Sequence, residues 1–148
     1  MGLFDKVLNG KSSEDVAFSK EEAFASIMLA TVAADGDISD EEGEAFLATI
    51  NRMKLFKSQS TAEYNAMVDK LFGLFSKKGA AFIMQKGIEA LPSELSETAF
   101  AIAADFIFAD GSVEVEEKEL LEHLQVGLGV SDDVAMKIVE VMEIKSRG

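Results

Sequence analysis

Two short acidic segments repeat each other in this sequence and carry the residue types that bind divalent cations. ADGDISDEE occupies residues 34–42 and ADGSVEVEE occupies 109–117, so each has an aspartate before glycine and a glutamate seven residues after that aspartate. Carboxylate oxygens are the ligands that hard cations such as Ca²⁺ and Mg²⁺ prefer. The candidate metal ligands are Asp35, Asp37, Glu42, Asp110 and Glu117.

Each segment matches only half of an EF-hand calcium loop. In that twelve-residue loop, glycine stands at position 6 and glutamate at position 12, and Gly36 with Glu42 fits both positions, as Gly111 with Glu117 does. Positions 1 and 3 require oxygen ligands, but the second segment has phenylalanines there and the first has Thr31 and an alanine. One segment alone is therefore not an EF-hand.

The two half-loops could form one site if they lie side by side. Two carboxylates about 6 Å apart repel each other by roughly 3 kcal/mol at an effective dielectric constant near 20. Such a cluster must bind a cation, take up protons or spread into water, and a divalent metal is the simplest solution. The alternative is that the two segments lie far apart and their acids form a hydrated surface.

Part of the repeat has a purely structural explanation. Gly36 and Gly111 can end a helix in a left-handed conformation, and the β-branched residue two positions later can pack back on the helices. Glu42 fits a capping box with Ser39. Glu117 follows Glu114 rather than a serine, which argues against capping as the common reason for the two glutamates. Asp35 and Asp110 would lie at helix carboxyl ends, where the helix dipole disfavours negative charge.

The elements that position these segments are predicted to be helices, because apolar residues recur at helical spacing and no long alternation indicates a strand. Capping-box pairs begin helices at Ser19, Ser39 and Ser60. The predicted helices lie near residues 19–35, 39–55, 60–76, 80–91, 93–110, 114–128 and 131–145.

The expected fold is all-α, with about seven helices in a single compact domain over residues 1–148. The hairpins 19–55 and 93–128 are expected to be related by a pseudo-twofold axis. The nearly all-apolar segment Ala99–Asp110 is the expected central helix. Val134, Ile138 and Val141 are expected on the inner face of the last helix.

The composition of the chain limits the kinds of partner, chemical site and cellular location that are expected. The net charge is −13 and 48% of the residues are hydrophobic, so nucleic acid is disfavoured as a partner and a sizeable core is available. Cysteine is absent, which excludes thiolate metal sites and cysteine nucleophiles. No apolar run has the length of a signal peptide or membrane span, so a cytoplasmic, soluble protein is expected. Asp105 in its apolar helix is either a satisfied buried polar group or a ligand near the corner, direct or through another ligand, and the only histidine, His123, is expected to be a partly exposed structural residue.

At these residues the sequence resembles the TerB family of tellurite-resistance proteins and its relatives. The resemblance rests on MGLFDKV at the start, on ADGDISDEE and ADGSVEVEE, and on their order and spacing, and it extends from Leu3 to about Met142. It implies an all-α domain of about seven helices with internal pseudo-symmetry and an acidic surface. It also implies divalent-cation binding by Asp35, Glu42, Asp110 and Glu117, with Asp37 as a helper that Ser112 replaces in the second copy.

The resulting expectation is a non-enzymatic module that binds a divalent cation and acts through protein partners of a stress-response assembly, which can be membrane-associated. Neither nucleic-acid binding nor direct membrane insertion is expected. Oxygen ligands suit calcium, magnesium or manganese, and a four-coordinate site with water could also take zinc. The alternative is a metal-independent scaffold whose acidic face meets a basic partner. A carboxylate-metal hydrolase is a third, less favoured class.

Overall fold

A computed structural model describes residues 17–34, 36–109 and 111–148, and within these ranges the chain is helical and contains no strand. Two single-turn 3₁₀ helices, Lys54–Phe56 and Ser93–Leu95, lie between α-helices. The predicted all-α class is confirmed. The seven α-helices are α1 (Lys20–Val32), α2 (Asp40–Arg52), α3 (Thr61–Lys78), α4 (Ala80–Ala90), α5 (Ser96–Phe108), α6 (Val115–Leu128) and α7 (Asp132–Ser146).

The starts of the first three helices are fixed by the predicted capping boxes. Before α1, the backbone N–H of Glu22 donates to Ser19 Oγ at 3.1 Å, and the N–H of Ser19 donates to Glu22 Oε1 at 3.0 Å. The same reciprocal pair forms before α2 and before α3. Each box satisfies backbone donors that the first helical turn leaves without a partner.

The most enclosed helix is α1, and it contacts α2, α3, α4 and α5. Nine of its thirteen residues are buried, from Ala23 through Thr31, whereas the predicted central helix α5 buries five. The prediction that α5 is the central helix was therefore wrong, because α1 is the more deeply buried of the two. Mean hydropathy is higher along α5, but burial depends on how many neighbours close around a helix, and small residues such as Ala23 and Ser26 let them approach α1 closely.

The tightest approach of two helices is between α1 and α4 at Gly87. A Cβ atom on Gly87 would overlap Ser26 Oγ and would stand 2.8 Å from both the carbonyl oxygen of Ala23 and Ile27 Cγ1. Ser26 Oγ itself donates to the Ala23 carbonyl oxygen at 2.8 Å. The α1–α4 contact thus requires a residue without a side chain at position 87.

The second half of the chain packs around α5, which contacts α1, α6 and α7. The pairs α1–α2 and α5–α6 both form contacts, as expected for two hairpins, and the pseudo-twofold relation between them stays a prediction. Ala135 is the only buried residue of α7. The predicted inner face of this helix was partly wrong, because Val134 and Ile138 are half-buried whereas Val141 is 56% exposed.

Candidate functional site

The first acidic corner joins α1 to α2. Gly36 has φ +97°, in the left-handed region, and its N–H donates to the carbonyl oxygen of Ala33 at 2.9 Å. Ile38 is half-buried and packs against the core. The corner therefore uses its glycine and its β-branched residue as the sequence predicted, to end one helix and to hold the start of the next.

The second corner, between α5 and α6, repeats this geometry. Gly111 has φ +83°, and its N–H donates to the carbonyl oxygen of Phe108 at 3.0 Å. Val113 packs half-buried against the core in the same way as Ile38. The two glycines thus repeat the same left-handed conformation and the same hydrogen bond.

Both corner glutamates cap the helix that follows them. The backbone N–H of Ser39 donates to Glu42 Oε1 at 2.9 Å, and the N–H of Glu114 donates to Glu117 Oε1 at 3.0 Å. The expectation that Glu117 would have no capping role was wrong. The bond it accepts comes from the main chain of the N-cap residue, so it does not require a serine there. Capping therefore accounts for the glutamate in both copies.

The aspartates that would complete a metal site, Asp35 and Asp110, lie outside the described residues, as does the MGLFDKV segment. Within residues 17–34, 36–109 and 111–148, no three histidine, aspartate or glutamate side chains gather closely enough to hold a metal ion. Asp37, Glu42 and Glu117 thus do not form such a group with other described acids. A corner site would have to include Asp35 or Asp110, and metal binding there stays a prediction.

Asp105 is a partner in an interhelical ion pair. Its Oδ1 lies 3.0 Å from Lys145 Nζ, so the carboxylate of α5 meets the last turn of α7, with 39% of its side chain exposed. The ion pair agrees with the interpretation of Asp105 as a satisfied polar group, but the expectation that it would be buried was wrong. His123 is exposed on α6, as expected of a residue outside the core.

A groove that sequence reasoning missed lies between α5, α6 and α7, beside the second corner. Its volume is about 700 Å³, and Gly111 and Val113 reach its edge. Its apolar lining consists of Phe100, Phe108, Leu121, Ala135, Met136 and Val139. Its charged lining consists of Glu122, Asp132, Glu140 and Glu143 together with Lys118. The groove is therefore apolar inside and acidic at its borders.

Large apolar side chains that face water are concentrated on the same two helices. In the part of the chain that the structure describes, the strongly exposed examples all belong to α6 or α7: Val115, Val126, Met136, Val141 and Ile144. Their exposed fractions run from 56% for Val141 to 82% for Val126. Single exposed apolar residues are ordinary, but five on two helices are a concentration, and one of them, Met136, lines the groove. In the sequence, the signal was an apolar content in α7 greater than one inner face can bury.

Comparison of the chain with models of known protein families, with curated proteins and with solved structures finds no match. None of the helices in the described ranges has the length and apolar character needed to cross a membrane.

Proposed function

We propose that this chain is a non-enzymatic, acidic helical module that acts by binding protein partners through the surface formed by α6 and α7. The observation that carries the proposal is the position of the exposed apolar side chains, which lie on the two helices that border the apolar groove. Burying such side chains against a partner contributes about 25 cal/mol for each Å² removed from water. Of the two interpretations, a cation-binding module and a metal-independent scaffold, this surface therefore favours the scaffold.

The non-enzymatic role is proposed on chemical composition and charge. The chain has no cysteine, and its single histidine, His123, is exposed on α6. We assign no nucleophile that would act together with this histidine. A net charge of −13 favours basic partners and disfavours nucleic acid. The TerB-like resemblance of the sequence suggests a stress-response assembly as the setting, without establishing tellurite resistance as the activity.

Site-specific photo-crosslinking in cells that produce the protein tests the interaction surface. A photoreactive amino acid at Met136, which is 64% exposed beside the groove, is expected to form an adduct with a discrete protein that mass spectrometry identifies. The same amino acid at Ala48, exposed on α2, is the control and is expected to give no such adduct. The identified partner, once purified, should bind the wild-type chain and lose affinity for Met136→Asp. Equal adducts at both positions, or none at either, would contradict the proposal.

Divalent-cation binding at the two corners is the second candidate function, and the repeated corner conformation supports it. Gly36 and Gly111 share a left-handed φ and the same hydrogen bond to the third residue back. Glu42 and Glu117 each use Oε1 in the helix cap, so a cation would be bound through their other carboxylate oxygen. Asp35, Asp110 and Asp37 would supply the remaining oxygen ligands, a set suited to calcium, magnesium or manganese.

Calorimetric titration with Ca²⁺, Mg²⁺, Mn²⁺ and Zn²⁺ tests the corner site. The wild-type chain is expected to bind one of these ions with a dissociation constant in the range of about 10⁻⁵–10⁻³ M, and the double variant Asp35→Ala/Asp110→Ala is expected to lose that heat. Glu41→Ala/Glu116→Ala is the matched control, since it removes two acids at equivalent positions of the repeat that are not assigned as ligands. A wild-type chain that gives no heat, or a control that loses as much heat as the aspartate variant, excludes the site.

A further inference from the structure

We propose that the groove between α5, α6 and α7 binds an amphipathic helix with a basic polar face, supplied by a partner protein. The inference rests on the proposed interaction surface and names the chemistry of what it recognises. Three properties of the groove support it, namely its apolar floor, the charge of its borders and the length of its walls.

The floor of the groove is suited to a large apolar side chain. Phe100, Leu121 and Ala135 form this floor, since all three line the groove and are buried, with exposed fractions of 2%, 7% and 5%. In the register of the repeat, Leu121 stands seventy-five residues after Phe46. Phe46 packs edge-on against Phe72 of α3, with ring centroids 6.0 Å apart, whereas Leu121 faces the open groove. Leu121 is only 7% exposed, so a partner's apolar anchor would contact the small part of its side chain that the neighbouring helices leave open to the groove.

The borders of the groove favour a cationic partner. Four carboxylates, from Glu122, Asp132, Glu140 and Glu143, line it together with one ammonium group, that of Lys118. Asp132 also accepts a hydrogen bond from Gln125 Nε2 at 2.6 Å, which fixes its position at the border. Lysine and arginine can lay their aliphatic stems on the apolar floor while their charged ends reach these carboxylates. Such charge complementarity selects the partner and speeds its association.

The same charges disfavour a second copy of this chain as the occupant. Two molecules that each carry a net charge of −13 repel, and a symmetric contact would bring two acidic borders together.

The walls of the groove also match a helix in length. Along α7 the lining runs from Asp132 to Ser146, about 22 Å at 1.5 Å per residue, and along α6 it runs from Lys118 to Gln125, about 12 Å. A partner helix of about four turns can thus lie along them with anchors at i, i+4, i+7 and i+11.

The test uses a fluorescein-labelled synthetic peptide of about eighteen residues, with leucine at the anchor positions and lysine and alanine elsewhere. Fluorescence anisotropy with the full chain is expected to show saturable binding that weakens as salt is raised. Met136→Asp is expected to weaken binding at least tenfold, because it places a charge on the apolar lining. Ala48→Asp is the control, since Ala48 is exposed on α2 and does not line the groove, and it is expected to change affinity by less than about twofold.

A second pair of variants separates the groove borders from the overall charge. Glu140→Lys/Glu143→Lys and Glu116→Lys/Glu119→Lys change the net charge equally, and only the first pair lines the groove. The first is expected to weaken binding at least tenfold and the second by no more than about threefold, through long-range screening alone. Circular dichroism of each variant reports whether the helices are retained, and all these positions are exposed, so folding is expected to be unaffected.

Several outcomes would overturn the proposal. Equal losses of peptide affinity in the two charge variants would show that the peptide binds only through the overall negative charge of the chain. Equal affinity for a peptide with glutamate in place of lysine would show that the groove does not select a basic partner. Concentration-dependent dimerisation that Met136→Asp abolishes would identify a second copy as the occupant. A rise in peptide affinity on Phe4→Asp would identify the chain's own first residues as the occupant. If the lysine peptide fails to bind while the photo-crosslinked partner still requires Met136, the interaction surface stands and the assigned partner chemistry is wrong.

Discussion

Replacing Phe24 with alanine is expected to lower the free energy of unfolding by about 3–5 kcal/mol. Phe24 is fully buried in α1 and meets Phe56 edge-on, with ring centroids 6.3 Å apart and an interplanar angle of 75°. Its removal loses both the transfer free energy of the ring and the contacts around the cavity that remains. Urea denaturation followed by circular dichroism measures the change. A loss of this size is a large fraction of the roughly 5–15 kcal/mol that stabilises a typical domain.

The controls for Phe24 separate cavity formation from chemical change. Phe24→Leu keeps the site apolar and most of its volume filled, so a loss nearer about 1–1.5 kcal/mol is expected. Val126→Ala, at a position that is 82% exposed, is expected to change stability by less than about 0.5 kcal/mol. A Phe24→Ala variant as stable as Val126→Ala would show that α1 is not the centre of the core.

Replacing Gly87 with alanine is the second large effect expected, a loss of about 1–3 kcal/mol. Two contributions oppose each other at this position. Alanine favours a helix over glycine by up to about 1 kcal/mol, but the added Cβ would overlap Ser26 Oγ and stand 2.8 Å from the Ala23 carbonyl oxygen. The side chain of Ser26 can rotate, whereas the backbone of α1 cannot move without separating it from α4. Steric overlap is therefore expected to exceed the propensity gain, and urea denaturation gives the sign directly.

Gly73→Ala is the matched control for Gly87→Ala. Gly73 lies on an exposed part of α3, and a Cβ there would meet no atom within 4 Å. Only the propensity gain remains, so this variant is expected to be more stable than the wild type by up to about 1 kcal/mol. Opposite signs for the two substitutions would establish that the approach of α1 to α4 decides the effect. The same sign at both positions would contradict it.

The starts of the first three helices were predictable from sequence because they depend on residues that are neighbours along the chain, whereas α1 and α2 end about three residues before the predicted ends. Each of Ser19, Ser39 and Ser60 forms the reciprocal cap that its spacing to glutamate predicts. Gly36 and Gly111 likewise adopt the left-handed conformation that their place after a helix predicts. Local hydrogen bonds and local sterics decide these features, so periodicity and capping patterns were sufficient.

What depends on distant segments was not predictable in the same way. The sequence pointed to α5 as the centre because α5 is the more apolar, but the enclosure of α1 results from packing by four other helices. The groove arises where α6 and α7 meet α5, and no single helix shows it. The role of Glu117 was missed for a different reason, since its partner is a backbone N–H group and the identity of residue 114 gave no sign of it.

The low burial of α7 has a thermodynamic consequence for any ligand that binds beside this helix. Ala135 is the only buried residue of this helix, and Met136, Val141 and Ile144 are exposed to water, so its detachment from α5 should cost less than global unfolding. A ligand that binds only when α7 is attached to α5 shifts the equilibrium between attached and detached α7 toward the attached form by mass action. Occupancy of the groove and ordering of the carboxyl-terminal segment would then be two measures of one linked equilibrium.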